Sequence, residues 1–311
     1  MGDYLLRDEI WKDDQSVWTD VIDRAVKEEI DFLRVGAHLF KPAVSHEKSD
    51  ESFPAGIVEY DNDTDISSIS NSDIAQLYEF GYRFSLTSGQ VAGAKTNEDV
   101  ELLVRDGAKL IAIAEDILFF HGENAAQKGL LPKQIRIQKN DEKKIKVGLL
   151  QSAGKTILVQ ASQERPGFFG DAIFDAVQKA IAELKEHHGP YALILDPARY
   201  GDITTQLVSA SLTSTYDKLI KQLEGGIHRS GALPSDRGLL ISLGGRPITR
   251  HVFQVPGSDQ NRPDVMIGFV RDGSDSTRSF FRIFQRSQLV VHNSSAIVRF
   301  DFEIPKGKEK V

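Results

Sequence analysis

The sequence predicts an α+β protein built around one long buried helix, and three patterns support this prediction. Residues 96–131 read as a helix whose second half is apolar on nearly every side, so we expect it to be buried on all sides. Residues 36–95 are polar and rich in turn-forming residues, with short strand patterns. Strand and helix patterns alternate over residues 190–255, and only strand patterns follow. Together they indicate a helical spine packed against sheets.

The composition of the chain limits the classes of protein to which it can belong. The chain has 311 residues, of which 40% are hydrophobic and 27% charged, which is ordinary for a globular protein. A formal net charge of −7 does not suggest nucleic-acid binding, which relies on clustered lysine and arginine. The absence of cysteine excludes disulfides and thiolate metal sites. The acidic N-terminus has no apolar signal-peptide core, so we expect a cytoplasmic protein.

The first 95 residues contain a short arm, a helix and a strand-rich region. Residues 16–35 carry apolar side chains at helical spacing. This helix either docks only on its own domain or also presents a groove to a partner peptide. Further along, residues 57–60 and 78–86 read as strands, with a polar loop tip at residues 45–52. An isolated hairpin is marginal in water, so a long arm of this kind would lie across a neighbouring subunit; an ordinary β-rich subdomain is the alternative.

The spine helix is expected to end at Gly122, a residue suited to the left-handed position after a helix. It is too short and too acidic to span a bilayer. Glu115 and Asp116 lie together in its apolar half. Neighbouring helix positions do not face each other, so an ion pair with another element is favoured over a paired-carboxylate acid–base site.

The remaining elements follow from strand and helix periodicity. A helix is predicted over residues 171–187, ended by Gly189-Pro190, and another over residues 215–224. Strands are predicted at residues 134–138, 145–147, 156–159, 191–195, 238–243, 265–270, 280–284, 289–291 and 296–302. The small polar run at residues 208–215 lines an opening or is a simple loop, and the charged C-terminal tail is expected to be solvated.

No motif supports catalysis. Residues 151–156 partly match a phosphate-binding loop, but its first glycine falls on Leu149 and a strand pattern follows. A hairpin turn at Gly154-Lys155 is the better interpretation. None of the eight histidines has the H-E-x-x-H spacing of a zinc site, and no G-x-S-x-G turn is present. We therefore expect no catalytic residue and no metal site, although a Ser–His–Asp group assembled in space stays open.

Several stretches resemble one protein family in the same order. Residues 115–131, EDILFFHGENAAQKGLL, are similar to the spine helix and following loop of the encapsulins, the linocin or bacteriocin-like shell proteins. These share the fold of tailed-phage major capsid proteins, named for phage Hong Kong 97. Further similar stretches are the N-terminal helix around Trp18, the Gly-Pro-Tyr strand at residues 189–195, the Gly-Gly turn at 225–226 and the C-terminal strands at 280–302.

The resemblance implies a Hong Kong 97 phage-capsid-like fold with a peripheral domain, an axial domain and an extended loop. Residues 1–35 would form the N-terminal arm and helix, and residues 36–95 the extended loop with its flanking strands. The peripheral domain with the spine helix would comprise residues 96–189 and 256–311, and the axial domain residues 190–255. Identical copies would close into an icosahedral shell.

The resemblance further implies an encapsulin nanocompartment that encloses a cargo enzyme, a peroxidase or a ferritin-like iron protein, with roles in oxidative stress or iron storage. A short terminal peptide of the cargo would bind the N-terminal helix and the C-terminal strands. The residues implied for this contact are Val21, Ile22, Ala25, Val26, Ile297, Val298 and Phe300. On this reasoning Ala25→Asp would load less cargo while shells still assemble.

Pores and cofactors are the remaining expectations. Pore-lining residues would be Ser209, Ser211, Thr213 and Ser214, which are small and polar. Some encapsulins bind a flavin through an aromatic residue after the strand that corresponds to residues 82–86. Residues 87–91 contain no tryptophan or tyrosine, so we expect no flavin and no other cofactor.

Two alternatives stay open from the sequence. The first is the major capsid protein of a virus or defective prophage that packages nucleic acid; the acidic pI of about 5.7 and the N-terminal helix argue against it. The second is a soluble hydrolase with a site that the motifs do not reveal. Extra residues around 40–75, 133–165 and 245–280 relative to compact encapsulins leave the number of subunits open.

Overall fold

The computed structural model of the chain describes residues 10–40, 42–46, 52–54, 57–61, 66–70, 74–96, 98–122, 124–138, 147–161, 165, 167–205, 213–253, 264–270 and 277–303. The helical elements are a π-helical segment Val17–Asp23, α1 Arg24–Leu33, α2 Val35–Leu39, α3 Ser88–Ala92, α4 Glu98–His121, α5 Asn124–Gln127, α6 Leu149–Ser152, α7 Gly170–Glu183, α8 Pro197–Thr204 and α9 Thr215–Leu219.

The strands divide into two larger sheets and a hairpin. They are β1 Pro42–His46, β2 Ser52–Pro54, β3 Ile57–Asp61, β4 Ile66–Ser70, β5 Ile74–Gln76, β6 Tyr78–Thr87, β7 Arg136–Gln138, β8 Lys155–Gln160, β9 Tyr191–Leu195, β10 Ile227–Arg229, β11 Arg237–Ser242, β12 Ile248–Phe253, β13 Val265–Val270, β14 Arg278–Val291 and β15 Ile297–Glu303.

The first sheet has the strand order β1-β12-β14-β6-β7, and β13 also pairs with β14. The long strand β14 is its centre and pairs with β6 from Arg278 opposite Thr87 to Ser287 opposite Tyr78. Because side chains alternate between the two faces of a strand, Phe281 and Ile283 both point into the main core. The strands predicted at residues 280–284 and 289–291 are both parts of β14, which is continuous from Arg278 to Val291.

The spine helix α4 packs on the core face of this sheet. It runs from Glu98 to His121 and is followed by Gly122 with φ of 55°, which confirms the predicted helix and its end. Its second half is buried, as the apolar pattern predicts. The helix approaches the sheet closely at Gly107, where a Cβ atom would lie 2.6 Å from side-chain atoms of Ile283 and Tyr82.

The predicted N-terminal helix is confirmed, as the π-helical segment followed by α1. Its apolar side shares the main core with α4 and the first sheet. Trp11 stacks on Phe281 at a centroid distance of 5.6 Å and meets Trp18 edge to face at 5.1 Å. The indole nitrogen of Trp11 also donates to the carbonyl of Val91. This segment is thus part of the subunit core and not a free arm.

The second sheet has the order β10-β9-β11-β15-β8 and is covered on both faces. One face packs against α7 and α8 through residues such as Leu193, Leu240 and Phe300. The other face packs against Phe119 and Phe120 at the end of the spine helix. This double coverage explains the apolar runs of β9 and β11 and confirms the strands predicted there.

The strand order groups the chain differently from the expected domain limits. The C-terminal strand β15, expected in the peripheral domain, lies between β11 and β8 in the second sheet. Strand β12, expected in the axial domain, pairs with β14 in the first sheet. Linear patterns do not reveal these pairings because they join residues that are distant in sequence, such as Leu240 and Val298.

A narrow hairpin precedes β6. Strand β2 pairs antiparallel with β5, and β3 pairs antiparallel with β4. Strand β3 confirms the prediction at residues 57–60. Leu77 alone separates β5 from β6, so the hairpin continues outward from the first sheet. We call residues 47–76 the arm; most of the predicted polar tip, residues 47–51, lies outside the described residues.

Smaller expectations differ in detail. The turn predicted at Gly154-Lys155 joins α6 to β8, so it is a helix-to-strand turn, while the strand predicted after it is confirmed. The helix predicted at 215–224 is limited to α9. The turn predicted at Asn140-Asp141 and the C-terminal tail lie outside the described residues. Within the described part of the chain, every helix is too short or too polar to cross a bilayer.

Candidate functional site

A buried ion network joins the N-terminal segment to the spine helix and the first sheet. Glu115 of α4 has no solvent exposure and lies 2.6 Å from Arg34 and 2.6 Å from Arg250. Asp264 also pairs with both guanidinium groups. Gln285 donates to Glu115 and accepts from Arg34. We call Arg34, Glu115, Arg250, Asp264 and Gln285 the ion network, and it confirms the ion pair predicted for Glu115.

Four of the five members of the ion network lie in four separate segments, and the fifth, Asp264, directly precedes β13. Arg34 lies between α1 and α2, Glu115 in the middle of α4, Arg250 on β12 and Gln285 on β14. Arg250 points to the core because it alternates with His251 along the strand, a direct consequence of the two-residue period. The network therefore stabilises the arrangement of these four segments, since a buried charge that loses its partner is strongly unfavourable.

Asp116, next to Glu115, binds the start of α2. Its carboxylate accepts from the backbone N–H groups of Val35 at 3.1 Å and Gly36 at 2.8 Å. Close packing is needed there, because a Cβ atom on Gly36 would lie 2.5 Å from the ring of Phe119. The two neighbouring acids thus serve different partners, as their divergent directions on a helix require.

The two acidic groups in this region have opposite pKa shifts. Burial raises the pKa of Asp116 from 3.8 to about 7, although the N–H groups of Gly36 and Val35 favour the charged form. Burial acts in the same direction on Asp264, but the charges of Arg34 and Arg250 outweigh it and hold its pKa well below the usual range. The two arginines, Arg34 and Arg250, pair with the carboxylates of Glu115 and Asp264.

The raised pKa of Asp116 predicts a fall in stability as pH rises towards neutrality. Between the unfolded value of 3.8 and the folded value of about 7, the folded state binds more protons, so the stabilisation present below about pH 4 is lost as pH passes 7. Urea unfolding from about pH 5 to 8 would measure this slope. The Asp116→Asn variant should show a smaller slope, and an unchanged slope would contradict the assignment to Asp116.

The site is a structural clamp on the evidence of its chemistry. Its charged groups are paired with each other. Among the residues that the structure describes, no three histidine, aspartate or glutamate side chains form a group able to hold a metal ion. The arrangement fixes the N-terminal segment against the spine helix and the first sheet.

The residues predicted to bind a cargo peptide do not form one surface in the subunit. Ile22, Ala25 and Val26 are buried in the main core, and only Val21 is half-exposed. The three predicted strand residues are also buried, in two other clusters; they are Ile297, with Phe120, and Val298 and Phe300, with α7. The family resemblance implied these residues, and apolar residues at such a spacing occupy core positions as readily as docking positions.

Two exposed apolar side chains beside the N-terminal helix were missed. Phe32 of α1 is 83% exposed and Leu102 of α4 is 68% exposed. The helices that carry them are held together by exposed ion pairs, including Arg105 with Glu28 at 2.6 Å. The sequence did contain a signal for these two residues, since each is a large apolar residue on the polar side of an amphipathic helix. Exposure to solvent does not stabilise such a side chain.

Burial also changes the meaning of the expected Ala25→Asp result. Ala25 has no exposure, and the new carboxylate would enter the core beside Trp18 and Ile22. An unpaired buried charge is strongly destabilising. Reduced cargo loading in this variant would therefore not separate a lost contact from a damaged subunit.

The predicted pore residues are only partly described. Ser209 and Ser211 lie outside the described residues. Thr213 is exposed, whereas Ser214 is buried and caps α9: its hydroxyl accepts from the backbone N–H of Asp217 and donates to the Asp217 carboxylate. Capping accounts for Ser214, and a pore at Thr213 stays a prediction.

Residues 137–255 match the family model of the linocin M18 type, described as an encapsulating protein for peroxidase. The matched segment includes β8, β9 and β11 of the second sheet and ends beyond β12. No curated protein matches the chain in sequence.

Solved structures share the fold over nearly the whole chain. A virus-like particle from Pyrococcus furiosus has a TM-score of 0.64 at 14% identity, covering 91% of this chain and 99% of that one. An encapsulin complex from Synechococcus elongatus has a TM-score of 0.51 at 11% identity, covering 89% and 88%. Mycobacterium phage Ogopogo gives 0.55 at 11% identity, covering 87% and 92%. The chain therefore has the Hong Kong 97 capsid fold, and its residues 137–255 are similar to the family of encapsulating proteins.

Proposed function

We propose that this chain is the shell subunit of an encapsulin nanocompartment, in which identical copies close into an icosahedral particle around a cargo protein. The observation that carries this proposal over a nucleic-acid capsid is the position of the N-terminal segment. It is held inside the subunit by Trp11, Trp18 and Arg34. A segment that contributes to the core in this way is unsuited to being cleaved off during maturation. The family match over residues 137–255 supports the same proposal.

The arm supports assembly. Strands β2 to β5 pair only with each other among the described residues, as two separate two-stranded ladders. A two-stranded ladder has too little buried surface to be stable alone. Contact with a neighbouring copy would supply that surface, so folding of the arm and closure of the shell are expected to be coupled.

The proposed shell is tested directly by electron microscopy of the purified protein. Closed hollow particles of one diameter would support it, and a monodisperse monomer at high concentration would overturn it. The ratio of absorbance at 260 and 280 nm of nuclease-treated particles distinguishes enclosed protein from enclosed nucleic acid. Particles with a protein spectrum favour enclosed protein, whereas protected nucleic acid would favour the capsid alternative.

The cargo contact is proposed on the exposed side of the N-terminal helix. Phe32 and the half-exposed Val21 can reach a peptide, while Ile22, Ala25 and Val26 form the buried support beneath them. A short peptide gains most of its affinity from a few apolar anchors. The peroxidase or ferritin-like nature of the cargo belongs to the same proposal, as does a small-solute pore near Thr213.

Phe32→Asp is expected to reduce cargo loading several-fold without loss of shells, because Phe32 contributes almost nothing to the subunit core. Co-purification of cargo with particles, quantified by mass spectrometry against shell protein, measures the effect. Leu158→Asp is the matched control, since Leu158 is 51% exposed but lies on β8 of the second sheet. Equal loading of cargo in the Phe32 variant and the wild type would remove this helix from the proposed contact.

A further inference from the structure

The net negative charge of the chain resides in the arm. Residues 47–76 contain eight aspartate or glutamate residues and one lysine. The chain has 45 acidic and 38 basic residues, so 37 of each remain outside the arm. The body of the subunit is therefore neutral overall, while the arm carries the formal charge of −7. An acidic ladder repels itself in isolation and is most stable against a cationic surface.

The first sheet presents a cationic surface on the face opposite the spine helix. Along β14, Arg278, Arg282 and Arg286 alternate with core residues. Arg282 lies directly opposite Arg83 of β6, and Arg136 of β7 lies opposite Gly81 on the same face. We call these five arginines the arginine face. Like charges directly opposite each other across a ladder are unfavourable, so this face gains from an external anion.

Only part of the arginine face is neutralised within the subunit. Arg282 and Arg286 both contact the buried carboxylate of Glu79, each at 2.5 Å. Arg83, Arg136 and Arg278 are exposed, and no carboxylate of the described part of the chain lies within ion-pair distance of them. The side chain of Arg278 donates a 3.4 Å hydrogen bond to the hydroxyl of Ser85. Three guanidinium groups are thus available to a partner.

We propose that the acidic arm of one copy docks on the arginine face of a second copy, so that charge pairing locks neighbouring subunits together. This inference rests on the proposed shell function and names the residues of one of its contacts. The arginines Arg83, Arg136 and Arg278 receive carboxylates from the segment that contains Glu59, Asp61, Asp63 and Asp65.

A second copy is favoured over contact within one chain by the path of the backbone. The arm leaves the first sheet through Leu77, with β5 and β6 almost continuous. Strands rise by about 3.3 Å per residue, so a strand that continues β6 beyond Leu77 extends past the end of its own sheet. A nucleic acid is disfavoured as the occupant because the acidic arms of the assembled copies would repel its phosphates.

The contact is tested by reversing charge on each side. The variant Arg83→Glu/Arg278→Glu should lose closed particles at low salt, and so should Glu59→Lys/Asp61→Lys. A chain that carries all four changes should regain them. The control is Lys179→Glu/Lys221→Glu, which makes the same change of charge at exposed lysines near the second sheet and should assemble normally. Particles are counted by negative-stain microscopy and size-exclusion chromatography.

The dependence of particle stability on salt concentration is a second test of the contact. Exposed ion pairs weaken as the Debye length falls from about 10 Å at 0.1 M salt to about 3 Å at 1 M. Wild-type particles should dissociate more readily at 1 M salt, and particles of the chain that carries all four changes should show the same salt dependence. The unassembled subunit of the Arg83→Glu/Arg278→Glu variant should keep the melting temperature of the unassembled wild type; a lowered value would show that the arm binds its own chain and would overturn the proposal.

Different results would overturn the charge lock and the shell function. Normal shells from the Arg83→Glu/Arg278→Glu variant at every salt concentration would overturn the charge lock and leave the shell function intact. A wild-type protein that forms no particles would overturn the shell function itself. Wild-type particles that protect nucleic acid, with loss of that nucleic acid but not of particles in the variant, would assign the arginine face to phosphate binding.

Discussion

Glu115→Gln is expected to lower the free energy of unfolding of the subunit by about 3–5 kcal/mol, the loss typical when one partner of a buried ion pair is removed. Glu115 has no exposure and is bound by Arg34 and Arg250. The neutral amide would leave two buried guanidinium groups with Asp264 as their only carboxylate. Urea unfolding of the unassembled subunit, followed by circular dichroism, measures the change.

Glu101→Gln is the matched control on the same helix. Glu101 pairs with Arg105 at 2.8 Å, but both side chains are about 30% exposed, and exposed pairs contribute less than about 1 kcal/mol. The contrast between two glutamates of α4 isolates the effect of burial. Similar losses for the two variants would mean that the ion network does not stabilise the N-terminal segment.

Removal of the arm is expected to abolish closed particles while leaving a folded subunit. Ser52 and Gln76 are directly paired across the ladder, so a short glycine-serine linker can replace the residues between them without stretching the chain. The described strands of the arm pair only with each other, so the strand pairing within the two larger sheets is kept, although β5 loses its contacts with β14. Size-exclusion chromatography would show particles replaced by small species, and the melting temperature of those species would match that of the unassembled wild type.

A variant with Asn62→Gly and Thr64→Gly serves as the control for the arm deletion. It changes the segment between β3 and β4 but keeps both ladders and the acidic residues Asp63 and Asp65, so it should assemble normally. Full assembly of the complete deletion would show that the arm is dispensable, and unfolding of the deleted subunit would show that the arm packs on its own body. Either result would contradict the account of the arm as an intersubunit element.

Local sequence patterns predicted most of the helices and strands but fewer of the contacts between them. The spine helix was predicted from its all-round apolar half, and the structure places Ile111, Phe119 and Phe120 in the core accordingly. The strand at residues 191–195 was predicted from its unbroken apolar run and is covered on both faces. Both cases depend on burial of a contiguous segment, which is a local property of the sequence.

The candidate site was only half predictable. An ion pair for Glu115 followed from its position on the helix, where Asp116 points in another direction, but the identity of its partners, Arg34 and Arg250, did not. The choice of Ile297, Val298 and Phe300 as peptide contacts placed buried core residues on an expected surface. Apolar periodicity indicates that one side of a helix or strand is buried, but it does not indicate which segment or partner covers that side.

The sequence by itself determined the spine helix, the strand-rich arm with its acidic charge and the family resemblance of the chain, because these depend on residue type and on spacing within one segment. The tertiary structure decided the strand order of the two sheets, the ion network and the arginine face. Each of these joins residues from distant segments, such as Arg34 with Asp264 and Arg83 with Arg282. Pairing of this kind is set by the packing of the whole chain, which minimises the exposed apolar surface and the number of unpaired buried charges.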